Sequence, residues 1–396
     1  MSHAEKPAAA DRRLPVADHI RKIAVFRALF LGDLLCATPA LRELKRRFPA
    51  AEIALIGLPW AAELVDRLPY VDRFAEFPGY PRIMEVPVAP ARTRAFLDGA
   101  RARGYDLAIQ MHGDGSVSNG FVVDLGARVS LGYCRDGDGR LTLGLPYDDE
   151  EHEVLRWLRL VDAFSRIEDG AAGAGSQCTI LNSQSTAADF PITAAEHGRA
   201  ADLLPANDGR PLIGLHAGAK DPARRWPSAR FAALADALIE RCGARIVLSG
   251  AASERELTAA VRRRMRHPAL DLAGATDLGA FAAAIARLDL LVTNDTGASH
   301  IAAATGTPSV ILFGPSRPWQ WAPLDRSRHR PVDALELAGP AADPSTALGR
   351  LPVEPVLAAC EEMLDSTSDW RRTANGPLKA LEVATLRPSF VVRRSS

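Results

Sequence analysis

The chain has 396 residues, of which 47% are apolar and 24% charged, a composition typical of a folded protein with more than one domain. Lysine plus arginine equals aspartate plus glutamate at 48 each, which argues against a nucleic-acid protein that relies on a basic surface. The five cysteines are far apart and form no CxxC pair, so we expect neither a zinc framework nor disulfides.

The amino-terminal residues lack the apolar region of a signal peptide, and no apolar run approaches the roughly 20 residues that cross a bilayer. We therefore expect a cytoplasmic protein with a flexible extension over residues 1–20.

Short apolar runs alternate with helix-patterned runs through the first half of the chain. The pattern predicts strands and helices in turn: strands at 22–28, 51–57, 72–77, 105–111 and 127–133, and helices at 40–48, 61–68 and 91–102. Such alternation is typical of βαβ units around a parallel sheet. We predict a doubly wound α/β domain of the Rossmann-like kind over residues 21–166.

The composition then changes to a stretch rich in glycine, alanine and serine. This stretch predicts a linker and domain-joining segment over residues 167–208. The alternation resumes in a second domain over 209–365, with strands at 211–216, 244–250, 288–294 and 308–314, and helices at 228–241, 252–264, 277–286 and from 297. Residues 366–396 are weakly patterned and form a tail. Because parallel sheets bind ligands at the carboxyl ends of their strands, a ligand is expected in the cleft between the domains.

The stretch NDTGASHIAAATGTPSVILFGP, residues 294–315, leaves a buried strand and enters a helix. The first N–H groups of a helix lack internal partners and carry the positive end of its dipole, so Thr296 and Gly297 form a candidate anion site. His300, one turn further, could add a donor. The alternative is that Asp295 or Thr296 simply caps the helix and that His300 is a surface residue.

A second loop, HAGAKDPARRWPSARF at 216–231, follows another strand end with small residues and then three cations. These are Lys220, Arg224 and Arg225, and an arginine fork matches the oxygens of a phosphate. A solvated charge run is the alternative, although the loop lies at the same edge of the sheet as the first anion site.

Two carboxylates complete the candidate site. Glu254, just past a strand end, could bind ribose hydroxyls, or could equally be a favourable charge at a helix start. Thr38 and Pro39 are typical of an N-cap and a first helical residue, which would leave Asp33 in the preceding loop. There it could accept a proton from an attacking hydroxyl, or serve only as a turn or cap residue.

Two further observations bear on the site. The sequence has no GxGxxG and no GxxxxGK[ST], so a standard Rossmann fingerprint and a P-loop are both absent. The loop QMHGDGSVSNG at 110–120 could contact an acceptor or a sugar, but we assign its histidine, His112, no catalytic role.

Four stretches together resemble glycosyltransferase family 9, whose best-known members are the ADP-heptose–lipopolysaccharide heptosyltransferases. The resemblance covers about residues 22–365 and rests on RALFLGDLLCATPALRELKRRFP (27–49), GLHAGAKDPARRWPSARFAAL (214–234), LSGAASERE (248–256) and TNDTGASHIAAATGTPSVILFGPSRPWQWAP (293–323). The sequence differs from some family members at Gly218 and Ala219, where those members carry hydroxyl residues. In the amino-terminal domain the resemblance is limited to the first loop.

The resemblance implies the GT-B fold, two Rossmann-like domains facing a central cleft, and inverting transfer that needs no metal or other cofactor. It implies that Asp33 is the catalytic base, that Asp295 meets the donor sugar and that Glu254 holds the nucleoside. The donor phosphates would be bound by Thr296, Gly297, His300 and a basic residue, with Arg224, Arg225 and Lys220 as the candidates.

The expected partners follow from the same resemblance. They are a nucleotide-sugar donor, ADP-heptose, and a hydroxyl of a lipopolysaccharide core or a related glycan or glycolipid, reached by peripheral contact with the cytoplasmic face of the inner membrane. No nucleic acid or partner protein is implied. Two other functions stay open: a non-catalytic GT-B protein that binds a nucleotide sugar or glycan, and a sugar-nucleotide epimerase, which would need further acid–base residues.

Overall fold

The computed structural model describes residues 19–135, 139–168, 186–339 and 342–373. Its first half is a six-stranded parallel sheet in the order β3-β2-β1-β4-β5-β6. The strands are β1 Lys22–Phe26, β2 Glu52–Gly57, β3 Arg73–Glu76, β4 Leu107–Gln110, β5 Val129–Cys134 and β6 Leu143–Pro146. The helices are α1 Leu31–Arg47, α2 Ala61–Val65, α3 Pro90–Arg103, α4 Asn119–Asp124 and α5 Glu153–Glu168.

The second half repeats this topology. Its strands are β7 Leu212–His216, β8 Arg245–Ser249, β9 Leu270–Asp271, β10 Leu290–Asn294, β11 Ser309–Phe313 and β12 His329–Asp333. They form a parallel sheet in the order β12-β11-β10-β7-β8-β9, the first sheet's order taken from its other edge. Both domains are therefore doubly wound and Rossmann-like, as predicted. In each sheet the strand order reverses beside the first strand, and sheets of this kind bind ligands at that point.

The remaining helices are α6 Ala194–Leu203, α7 Ser228–Cys242, α8 Arg255–Arg262, α9 Leu278–Ile285, α10 Gly297–Thr305, α11 Pro318–Trp321, α12 Ala334–Ala338, α13 Pro344–Arg350 and α14 Val353–Thr373. No helix within the described ranges combines the length and the hydropathy that a bilayer span requires.

The central strands are buried on both faces because helices cover each side of the sheet. In β1 the side chains of Ile23 and Val25 join one apolar cluster, while Ala24 and Phe26 join another on the opposite face. This burial explains the continuous apolar runs from which the strands were predicted. Polar side chains therefore concentrate at the ends of these strands, where the site lies.

The predicted start of α1 is wrong. The helix begins at Leu31, so Pro39 lies inside it and Asp33 occupies its first turn instead of a loop. Pro39 has no N–H for the carbonyl of Leu35, and the hydroxyl of Thr38 donates to that carbonyl at 2.8 Å. The Thr-Pro pair that was interpreted as an N-cap therefore satisfies a carbonyl in the helix interior.

The predicted linker also contains more structure than its composition indicated. Residues 169–185 lie outside the described ranges, but α6 follows them and packs against α9. Thr193 and Glu196 form a capping box at the start of α6, with the Thr193 N–H donating to the Glu196 carboxylate at 2.8 Å. Of the predicted tail, the first residues continue α14 as far as Thr373, and residues 374–396 lie outside the described ranges, as do residues 1–18 of the predicted extension.

Candidate active site

A cavity of about 880 Å³ lies between the two domains, at the carboxyl ends of both sheets. The loop after β1 and the start of α1 form one wall, together with Trp60. The loops after β7, β8 and β10 and the start of α9 form the other wall. Every predicted site residue lines this cavity except Arg225: Asp33, Lys220, Arg224, Glu254, Asp295, Thr296, Gly297 and His300.

Helix α10 begins at Gly297, as predicted. Thr296 is the N-cap, and its hydroxyl accepts the N–H of Ala298 at 3.1 Å. Asn294, the last residue of β10, donates its amide to the carbonyls of Ala217 and Gly218 at 2.9 and 3.2 Å. Thr296 therefore caps the helix, and Asn294 fastens the loop after β7 beside it.

The start of α1 lies directly against the start of α10. A Cβ added to Gly297 would lie 3.0 Å from Cδ2 of Leu31, and one added to Gly32 would lie 2.6 Å from the ring of His300. A side chain at Gly32 would therefore displace His300, and one at Gly297 would push Leu31 by a few tenths of an ångström, so small residues keep the two helix starts close together.

His300 is buried, so its interpretation as a surface residue is wrong. Its Nδ1 lies 3.5 Å from the sulfur of Cys36 in α1. Burial lowers the pKa of His300, although the carboxylates of Asp295 and Asp33 oppose this. A neutral imidazole can still donate one N–H to an anion.

The two adjacent arginines face in different directions. The Arg224 guanidinium donates to the Asp295 carboxylate at 3.3 Å, and the side chain of Arg224 is 41% exposed while that of Asp295 is 4% exposed. Arg225 instead donates to the carbonyl of Ala219 at 2.7 Å, outside the cavity. The geometry thus favours Arg224 as the phosphate ligand and gives Arg225 a role in shaping its own loop.

Lys220 crosses the cleft. Its Nζ lies 3.6 Å from the centre of the Phe30 ring, which belongs to the amino-terminal domain. This cation–π contact joins the two walls of the cavity. Lys220 remains exposed to solvent while it makes this contact.

Glu254 serves as a cap and also lines the cavity. Its Oε2 accepts the N–H of Ala251 at 2.8 Å, and its carboxylate lies over Gly218, where an added Cβ would be 2.1 Å from Oε1. His216 lies next to it, with Nε2 4.0 Å from Oε2. His216 is buried, which lowers its pKa while Glu254 opposes the shift. Sequence reasoning missed His216, although its place at the end of a buried strand could have indicated it.

Asp33 faces the cavity even though it lies in α1. Its Oδ2 accepts the Phe30 N–H at 3.3 Å, and its side chain is 23% exposed. Beside it is Arg27, 1% exposed, which donates from Nε to the Asp33 carbonyl at 2.7 Å and from a terminal amino group to the Met111 carbonyl at 2.5 Å. Sequence reasoning missed Arg27 as well. The feature that could have indicated Arg27 is a single charged residue directly after an apolar strand.

The buried side chains of the loop at 110–120 bond within the amino-terminal domain. None of its candidate contacts, Gln110, His112, Asp114 and Asn119, lines the cavity. Gln110 donates to Ser118 at 2.8 Å, and Nδ1 of His112 accepts the Ala28 N–H at 3.3 Å. Burial lowers the pKa of His112 to about 3. The described residues contain no cluster of three or more His, Cys, Asp or Glu side chains arranged to hold a metal ion.

The chain is similar to known glycosyltransferases in sequence and in fold. Residues 93–333 match the model of glycosyltransferase family 9 (heptosyltransferase). Lipopolysaccharide heptosyltransferase 2 of Escherichia coli K12 is 28% identical over 311 residues, covering 75% of this chain and 84% of that protein. Lipooligosaccharide heptosyltransferase 2 of Haemophilus ducreyi is 28% identical over 317 residues, with 77% and 86% covered.

Two solved structures share the fold. A family 9 glycosyltransferase from Veillonella parvula superposes with a TM-score of 0.69 and 20% identity over 87% of this chain and 97% of that one. The E. coli ADP-heptose lipopolysaccharide heptosyltransferase II superposes with a TM-score of 0.66 and 23% identity over 88% and 100%. Because the matched region 93–333 covers more than half of the chain, the protein belongs to glycosyltransferase family 9 and is a glycosyltransferase with the GT-B fold.

Proposed function

We propose that the protein transfers a heptose from ADP-heptose to a hydroxyl of a lipopolysaccharide core, by an inverting displacement that needs no metal. The names of the relatives support the substrates. The observation that carries the chemistry is that a carboxylate of one domain, Asp33, lines the same cavity as the helix start and the cation of the other domain, Gly297 and Arg224.

In the proposed reaction Asp33 takes the proton of the acceptor hydroxyl as that oxygen bonds to the anomeric carbon. The bond from that carbon to the β-phosphate oxygen breaks, and the nucleoside diphosphate leaves with the electron pair. Attack on the face opposite the leaving group inverts the anomeric centre. Charge builds up on the diphosphate, and preorganised donors in such positions contribute on the order of a few kcal/mol each.

The cations of the carboxy-terminal domain would stabilise that charge. Arg224 is partly exposed and bonded to Asp295 at 3.3 Å, so it could turn to a phosphate provided that another group replaced it as the partner of the nearly buried Asp295 carboxylate. Asp295 would then be free to accept a hydrogen bond from a hydroxyl of the donor sugar. The free N–H groups at the start of α10 and the Nζ of Lys220 complete the positive field.

Donor binding would also require a small movement between the domains. Leu31 lies over Gly297, where the phosphates are proposed to bind. We expect the start of α1 to shift away from α10 as the diphosphate enters. Glu254, beside Gly218, would hold the ribose of the nucleoside.

The acceptor would enter from the wall that carries Phe30 and Trp60, both of which line the cavity. A lipopolysaccharide precursor is anchored in a membrane by its lipid, so we place the enzyme in the cytoplasm with peripheral contact at the inner membrane. Neither the non-catalytic binder nor the epimerase gains support from the relatives, which are named heptosyltransferases.

The substitution Asp33→Asn tests the proposal. Positioned general bases contribute roughly 10²- to 10⁴-fold, so turnover of ADP-heptose should fall at least 100-fold. The dissociation constant of ADP should change by less than about twofold, because Asp33 lies on the opposite wall from the proposed phosphate site. A variant that keeps near-normal turnover would remove Asp33 from the mechanism. NMR of the product would show the inverted anomer, and a retained anomer would refute the single displacement.

A further inference from the structure

Arg27 is an almost completely buried cation next to the proposed base. It follows β1 directly and is 1% exposed. Its Nε donates to the Asp33 carbonyl at 2.7 Å, and its guanidinium carbon lies 4.7 Å from the centre of the Trp157 ring. With the bond to the Met111 carbonyl, two of its three guanidinium nitrogens donate to main-chain carbonyls.

The third nitrogen of this guanidinium, Nη2, is uncommitted. It has no hydrogen-bond partner among the described residues, although it is buried. It lies 3.8 Å from Oδ1 of Asp33 and 3.8 Å from Oε2 of Glu153, midway between two carboxylates. A buried polar group without a partner is costly, so this arrangement calls for an explanation.

Glu153 is itself held in place. It is buried at the start of α5, and its Oε1 accepts the Nε of Arg156 at 2.9 Å. Its other oxygen, Oε2, is the one that faces Arg27. The chain of charges is therefore Asp33, Arg27, Glu153 and Arg156, alternating in sign from the cavity into the core.

We propose that Arg27 is the positioning residue of Asp33 and that Glu153 is the second counterion of Arg27; this rests on the proposed role of Asp33 as the base. While Asp33 is ionised, Nη2 is attracted to both carboxylates. When Asp33 takes the proton of the acceptor hydroxyl, its charge is lost and Glu153 remains as the partner of the buried cation. Arg27 thus has an anionic neighbour on both sides of the proton transfer, and its Nε bond keeps the first turn of α1 in place throughout.

The test is a cycle of Arg27→Met in the natural enzyme and in Asp33→Asn. We expect Arg27→Met to lower kcat by about 10- to 100-fold, the usual effect of a misplaced reacting group. The KM for ADP-heptose and the Kd of ADP should stay within about twofold. In the Asp33→Asn background the same change should lower the residual turnover by less than about twofold, since Arg27 acts through Asp33.

Two variants guard against a general loss of structure. Arg67→Met removes another mostly buried arginine, 12% exposed and paired with Glu196, and should lower the melting temperature without lowering kcat. Arg27→Lys keeps the charge but not the fork, and should recover several-fold of the kcat that Arg27→Met loses. If Arg27→Met does not fold, Glu153→Gln preserves the volume and should lower kcat several-fold, again only when Asp33 is present.

The outcomes separate this inference from the proposed function. If Asp33→Asn keeps its turnover, the proposed function fails first. If Asp33→Asn is inactive but Arg27→Met loses nothing, or loses ADP affinity in step with kcat, the positioning role is refuted. Equal losses with and without Asp33, from either Arg27→Met or Glu153→Gln, would refute it as well.

Discussion

The substitution Gly218→Ala tests whether Glu254 binds the nucleoside, because it should displace the Glu254 carboxylate with little effect on the folding of the domain. The backbone at Gly218 is not in the left-handed region, so alanine fits its conformation. The new Cβ would, however, lie 2.1 Å from Oε1 and 2.4 Å from Cδ of Glu254. The Glu254 carboxylate must therefore move by about 1 Å or more to restore ordinary contact distances.

The effect on stability should be small. Glu254 is the end of a flexible side chain, held at its carboxylate by the Ala251 N–H at 2.8 Å. That bond is exposed to solvent, so losing it costs about 1 kcal/mol, less than a charged hydrogen bond inside a closed site. The effect on binding should be larger, because the proposed hydrogen bonds between the Glu254 carboxylate and the ribose would contribute about 1.5–3 kcal/mol. Their loss corresponds to roughly a 10- to 150-fold rise in the Kd of ADP.

Calorimetric titration with ADP measures this directly. The matched control is Gly198→Ala, at a glycine of α6 whose added Cβ would meet no atom within 4 Å. The control should bind ADP as the natural protein does. If Gly218→Ala also binds ADP with an unchanged Kd, Glu254 does not hold the nucleoside and the assignment is wrong.

Two further predictions concern the phosphate end and the buried histidines. Arg224→Ala should weaken ADP binding by about 1.5 kcal/mol, which is the low end for a charged hydrogen bond because Arg224 is 41% exposed. Arg225→Ala should leave the Kd of ADP nearly unchanged, since Arg225 bonds to its own loop. A larger loss of affinity in Arg225→Ala than in Arg224→Ala would exchange their roles. Burial lowers the pKa of three histidines to about 3, 4 and 4: His112, His152 and His329. The unfolded chain binds a proton at each below about pH 6.5 while the folded chain does not, so the free energy of unfolding should fall by up to about 1.4 kcal/mol per pH unit for each histidine between pH 6.5 and 4. Urea unfolding at pH 7, 6 and 5 measures this, and equal stability at all three would contradict it.

Most strands could be predicted because a strand that is buried on both faces of the sheet must be apolar. The loops after them could be predicted because polar residues reappear where each strand ends. The start of α1 could not. Thr38 and Pro39 fit an N-cap equally well, and only the hydrogen bond from Thr38 to the Leu35 carbonyl shows that the helix continues through them. Strands β6, β9 and β12 were not predicted. All three lie at sheet edges, where β9 has only two residues and where β6 and β12 are only partly buried and so lack a continuous apolar run.

The candidate site shows a similar division. Parallel strands bring their carboxyl ends to one edge, so residues from loops distant in sequence could be assigned to one cleft. Arg224 and Arg225 are residues of the same type, so the sequence could not show which of them faces the cleft. The conformation of the short loop decides this. The contacts of Leu31 with Gly297 and of His300 with Gly32 join two domains. No periodicity within one domain could have indicated them.

The most direct test of the account is a crystal structure of the protein with ADP bound. We predict that the diphosphate lies at the start of α10, within hydrogen-bonding distance of the N–H groups of Thr296 and Gly297, with Arg224 turned from Asp295 to a phosphate oxygen and Leu31 displaced from Gly297. A diphosphate bound elsewhere, with Leu31 still covering Gly297 and Arg224 still paired with Asp295, would contradict it.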